Sequence, residues 1–126
     1  MIKTTSFAKE LVATPVRRVS LGVSLVLLVI SGAVPAWRIL PIVQGREAVP
    51  LHYNVHIGVD WIGPWWFIFT PVVTGALFMI INIIAIRLVW RKEPQLASLI
   101  AVQTMVVQLL LLIASIFVVL LNVSYG

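Results

Sequence analysis

Long apolar runs dominate the chain, and one short stretch between them keeps a different rhythm. Residues 19–37 carry no charge, residues 65–86 carry none, and no charged side chain follows Pro94 through Gly126. A helix that crosses a bilayer needs about 20 mostly apolar residues, so each run predicts one. Between the first two lies Leu51-His52-Tyr53-Asn54-Val55-His56-Ile57-Gly58-Val59-Asp60-Trp61, in which odd positions are apolar and even ones are polar or glycine. A period of two belongs to an extended chain with one apolar and one polar face. The expected fold class is therefore an all-α membrane protein, with three transmembrane helices and an extended outer loop able to form a β-hairpin. One membrane domain should hold a leader at 1–15, helices at 16–40, 65–92 and 95–123, and the loop at 41–64.

Each span also carries a stripe. Ala97, Ala101, Thr104, Gln108, Ser115 and Asn122 fall within about 40° of one line on a helix turning 100° per residue. Ser20, Ser24 and Ser31 share a face of the first span; Pro71, Thr74, Gly75, Phe78, Asn82 and Ala85 share one of the second. Small and polar side chains on one face of a membrane helix allow close approach and hydrogen bonds between helices. The three stripes should meet, with Ser24, Ser31, Thr74, Asn82, Ala101, Thr104, Gln108 and Ser115 as packing residues. Gln103 points about 120° away from the third stripe, toward a second contact.

Composition agrees with lipid as the solvent. Hydrophobic residues make up 61% of the 126 and charged ones 10%, too much apolar surface for a water-soluble domain of this size. The net charge of +5 then reports topology rather than nucleic-acid binding, because the basic residues flank the spans. Lys3, Lys9, Arg17 and Arg18 precede the first span, and Arg87, Arg91 and Lys92 mark the link between the second and third. The link between the first two has only Arg38 and Arg46. Lys and Arg collect on the cytoplasmic side, so the N-terminus should be cytoplasmic and the 41–64 loop and C-terminus outside. Trp37, Trp61, Trp65 and Trp66 would form the outer aromatic belt and Trp90 the inner one. Val34-Pro35-Ala36 loosely resembles a signal-peptide cleavage site, but the apolar run is long for one and proline is awkward there, so an uncleaved helix is expected. Residues 7–14 have the makings of a short surface helix.

Chemistry is sparse. Cysteine is absent, which removes disulfides and thiolate ligands or nucleophiles. No phosphate loop, zinc-protease helix motif or dinucleotide fingerprint occurs. The membrane serines have no embedded His, Lys or Asp to activate them, so no catalytic residue is assigned. His52, His56 and Asp60 lie on one face of the alternating segment. In a strand, however, the two histidines stand about 13 Å apart, too far to share a metal. Neither metal nor other cofactor is expected. The five polar or aromatic residues His52, Tyr53, Asn54, His56 and Asp60 are instead the candidate recognition surface.

Pro50-Leu51-His52-Tyr53-Asn54, followed by Gly58 and Asp60, resembles the short extracytoplasmic motif of the domain of unknown function found in Sdp-type immunity proteins of bacteria. That motif runs Pro-x-His-aromatic-Asn/Asp, then Gly, then Asp, between a first and a second membrane helix. The resemblance covers about a dozen residues, and the chain departs from it by one extra residue before Gly58, by His56 and by having three helices. The same segment followed by Gly63-Pro64-Trp65 is also similar to small uncharacterised three-helix bacterial membrane proteins. What this implies is a non-enzymatic protein of the bacterial inner membrane, an accessory, sensing or immunity-like component acting through its outer loop. Its expected partners are the lipid bilayer and a protein at that loop, with no nucleic acid. The alternatives are a metal- or proton-dependent site on His52, His56 and Asp60, or a structural subunit of a larger membrane complex.

Overall fold

The computed structural model describes residues 6–125. A five-residue helix, α1 (Phe7–Leu11), precedes the first long helix, α2 (Pro15–Arg38), and a single turn, α3 (Leu40–Val43), follows it. Two strands, β1 (Val49–Asn54) and β2 (Gly58–Gly63), come next. A 3₁₀ turn at Trp65–Phe69 then leads into α4 (Thr70–Val89), and α5 (Pro94–Tyr125) closes the chain. Three stretches are long and apolar enough to cross a membrane: Pro15–Arg38, Trp65–Val89 and Pro94–Tyr125. The protein is thus a three-helix membrane protein with an antiparallel hairpin inserted between its first two spans.

Local chemistry sets these boundaries. Thr14 caps α2, its hydroxyl accepting from the Arg17 amide at 3.2 Å, and Pro15 opens the helix, where a missing N–H costs nothing. The span stops at Arg38 rather than residue 40 because Pro41 has no N–H to donate to Trp37. Pro71 and Pro94 stand at the starts of α4 and α5 for the reason that Pro15 does.

The bundle is organised around α5, which packs along both α2 and α4, while those two touch each other less. Its interior is apolar at the ends and polar between them. At the end that carries the basic residues, Leu21, Ile86, Ala97 and Ala101 are buried together under Phe7 and Leu11 of α1. At the hairpin end, Ile39, Val43, Val49, Leu51, Ile68 and Val119 form a second cluster. Between them the contacts are hydrogen bonds. Asn82 Nδ2 donates to Thr104 Oγ1 at 2.8 Å, Gln108 Nε2 to the Gly75 carbonyl at 2.7 Å, and Ser115 Oγ to the Ser31 carbonyl at 2.8 Å. In lipid there is no water to replace such partners. Ser24, Ser31 and Thr104 hydroxyls also donate back to carbonyls one turn earlier in their own helices, which satisfies them without a neighbour.

Ser24, Ser31, Ala101, Thr104, Gln108 and Ser115 are all buried in this interface. Thr74 is not. On α4 the buried face is Pro71, Gly75, Asn82 and Ile86, whereas Thr74 and Phe78 are exposed. A step of 100° separates Thr74 from Gly75, enough to carry the hydroxyl to the outer side of the bundle.

Candidate functional site

The hairpin forms because its centre has the residues of a three-residue connection. Asn54 and Gly58 pair across the end of the ladder, leaving Val55, His56 and Ile57 as the turn. The Ile57 amide donates to the Asn54 carbonyl at 3.3 Å, and the His56 amide to Asn54 Oδ1 at 2.9 Å. Gly58 then takes φ +83°, a left-handed conformation that costs a glycine little. A type I turn followed by a left-handed residue is a common solution for such loops.

This corrects, at its centre, the expectation that residues 51–61 run as one extended segment. The strand ends at Asn54, and Val55, His56 and Ile57 protrude at the tip rather than continuing the two faces. Val55 and Ile57, on the apolar face of the alternating pattern, are 80% and 73% exposed. Tyr53 is partly covered and 42% exposed. The strand pairs with the segment after Gly58, while residues 40–43 form a helical turn.

The polar face of the hairpin brings two of the three candidate residues together. Pro50 pairs with Ile62, His52 with Trp61 and Tyr53 with Val59, and the His52 side chain reaches the neighbouring Asp60. The ladder is irregular at this point, with Leu51 turned into the core. His52 Nδ1 lies 2.6 Å from Asp60 Oδ1. A carboxylate only accepts, so Nδ1 carries the proton and donates. The His52 side chain is 63% exposed, leaving its Nε2 edge open to solvent. His56 stands apart in the turn, and among the described residues no three His, Asp or Glu side chains gather as a metal-ligand set.

The hairpin's base is held, while its tip is not. Val49 and Leu51 are buried in the hairpin-end cluster with Ile39, Ile68 and Val119. Asn122 Nδ2 donates to the Pro50 carbonyl at 2.8 Å, joining β1 to α5. The rings of Tyr53 and Tyr125 stack with centroids 5.5 Å apart. Beside this contact lies an apolar groove of about 610 Å³ between β1 and the end of α5, walled by Leu51, Tyr53, Phe117, Leu121 and Tyr125, with His52 at its edge. Sequence reasoning placed Asn122 on the packing stripe but did not foresee its bond to the loop, nor any role for Tyr125. Their partners are 72 residues away or more in the chain, beyond the reach of any local pattern.

Compared with known proteins, the chain matches no family model, no curated protein and no solved structure.

Proposed function

We propose that this is a bacterial inner-membrane protein that acts by contact rather than catalysis, an accessory, sensing or immunity-like component whose hairpin recognises a protein partner. The observation that supports this reading is the contrast within the hairpin. Its base is fixed to the bundle by buried side chains and by Asn122, while Val55, His56 and Ile57 project from it. A rigid support loses little entropy on binding, and protruding aliphatic side chains are suited to enter a partner's pocket. The resemblance of residues 50–60 to the Sdp-type immunity motif leads in the same direction.

A photo-crosslinking residue at position 56, introduced in cells of the native host, should give one discrete protein adduct. The same residue at position 88, on the exposed side of α4, should give lipid products. Adding Ile57→Asp should abolish the adduct at 56. Lipid products alone at position 56 would refute recognition by the hairpin.

The orientation proposed with this function places the N-terminus and the Arg91-Lys92 link in the cytoplasm, following the distribution of Lys and Arg. The chain contains no cysteine, so single-cysteine labelling is unambiguous. A membrane-impermeant thiol reagent should modify a cysteine at position 56 in intact cells and one at position 92 only after lysis. The reverse pattern would invert the topology.

A further inference from the structure

Helices α2 and α5 run in the same direction, so their N-termini lie side by side at the basic end of the bundle. A groove of about 420 Å³ separates them, walled by Thr14, Val16 and Arg17 on one side and by Gln95, Ser98 and Leu99 on the other. Arg17 is only 4% exposed. Its Nε donates to Thr14 Oγ1 at 3.2 Å and its Nη1 to the Glu10 carbonyl at 2.7 Å, while among the described residues Nη2 has no hydrogen-bond partner. No carboxylate neutralises it: among the described residues the only ion pair is His52–Asp60, and residues 1–5 contain no acid.

A buried guanidinium without a counter-ion is unfavourable, and the surrounding charge is mostly basic, with Lys9, Arg18, Arg87, Arg91 and Lys92 at this end against Glu10 and Glu93. Two helix N-termini contribute their partial charge, although the Arg17 amide is already capped by Thr14. An anion in the groove would relieve this, and phosphate oxygens match both guanidinium nitrogens and helix-start amides. Gln95 lines the groove, and among the described residues its side chain makes no hydrogen bond, so its amide is a further donor. The wall formed by Val16 and Leu99 continues along membrane-spanning helices, where an acyl chain would lie.

We infer that this groove binds one anionic phospholipid, with its phosphate at Arg17 Nη2 and the start of α5 and its acyl chain along Val16 and Leu99. The inference is independent of what the hairpin recognises.

The test uses the full chain in nanodiscs containing equal phosphatidylglycerol and phosphatidylcholine, released into a mass spectrometer under native conditions. The wild type should retain phosphatidylglycerol in preference to phosphatidylcholine by about fivefold, the bias expected of one basic side chain facing an anionic headgroup. Arg17→Gln should abolish the preference. Leu99→Trp, which fills the apolar part of the groove and leaves Arg17 in place, should abolish it as well. Arg46→Gln, in the link before β1, should retain it. Unchanged preference in either groove variant would overturn the inference, as would loss of bound phosphatidylglycerol on adding inorganic phosphate alone, which would identify a free-anion site.

Discussion

Gly75→Ala should be among the most damaging single substitutions in the bundle. A Cβ at this position would stand 2.6 Å from Gln108 Oε1, 3.1 Å from Leu28 Cδ1 and 3.3 Å from Leu111 Cδ1. All three helices meet at this point, and the closest atom belongs to Gln108, which is fully buried between them. Overpacking of this kind costs about 1–3 kcal/mol. Gln108 would also be pushed off the Gly75 carbonyl, its one hydrogen-bond partner, and its Oε1 already has none. An unpaired buried amide adds a similar amount in principle, although interhelical bonds in membranes average only about 0.6 kcal/mol. Steric crowding therefore dominates, and a total near 3 kcal/mol is expected. Leu110→Ala, on the exposed side of α5, should change stability by less than about 0.5 kcal/mol. Unfolding of both variants in mild detergent measures the difference, and equal losses would contradict this packing.

Asn122→Leu should have a different kind of effect, loosening the hairpin while leaving the bundle intact. The substitution removes the bond to the Pro50 carbonyl and the one to the Val118 carbonyl. It also removes an Oδ1 atom that is buried without a partner, so the helix interface loses little. The hairpin loses more. Two strands alone are marginally stable, and these depend on their attachment to α5. One hydrogen bond contributes about 1 kcal/mol net, so local opening should become about fivefold more frequent. Hydrogen exchange at the amides of residues 49–54 would report it. Unchanged exchange there, or equal acceleration throughout α5, would exclude a latch.

How much of this was readable in the sequence depended on the range of the interaction responsible. The spans were readable because a bilayer imposes its thickness on every helix, whatever that helix touches. The α5 face from Ala97 to Asn122 was readable because small and polar side chains are conspicuous against Leu, Ile and Val. On α4 the same logic misplaced Thr74, since a hydroxyl that can bond within its own helix does not need a buried face. That His52 and Asp60 share a face was readable from alternation, but their contact depends on a hairpin whose register shifts on both sides of His52. The end of the strand was hidden because Val55 and Ile57 prolong the apolar pattern through a turn that Asn54 and Gly58 dictate. Arg17 was read only as a topological charge, its burial being produced by α1 folding over the ends of the helices.

That α5 holds the bundle together has a consequence for how the protein is made. α2 and α4 leave the ribosome first, yet they share the smallest of the three helix interfaces. Until α5 follows, Asn82 has neither Thr104 nor Gln103 to bond, and the Ser31 carbonyl lacks Ser115. The hairpin must likewise wait for Asn122. Two inserted helices with unmet polar groups are a substrate for membrane chaperones and quality-control proteases. The interval between synthesis of residue 90 and insertion of the last helix is therefore the vulnerable period in the protein's biogenesis, and slowed translation there should lower its yield.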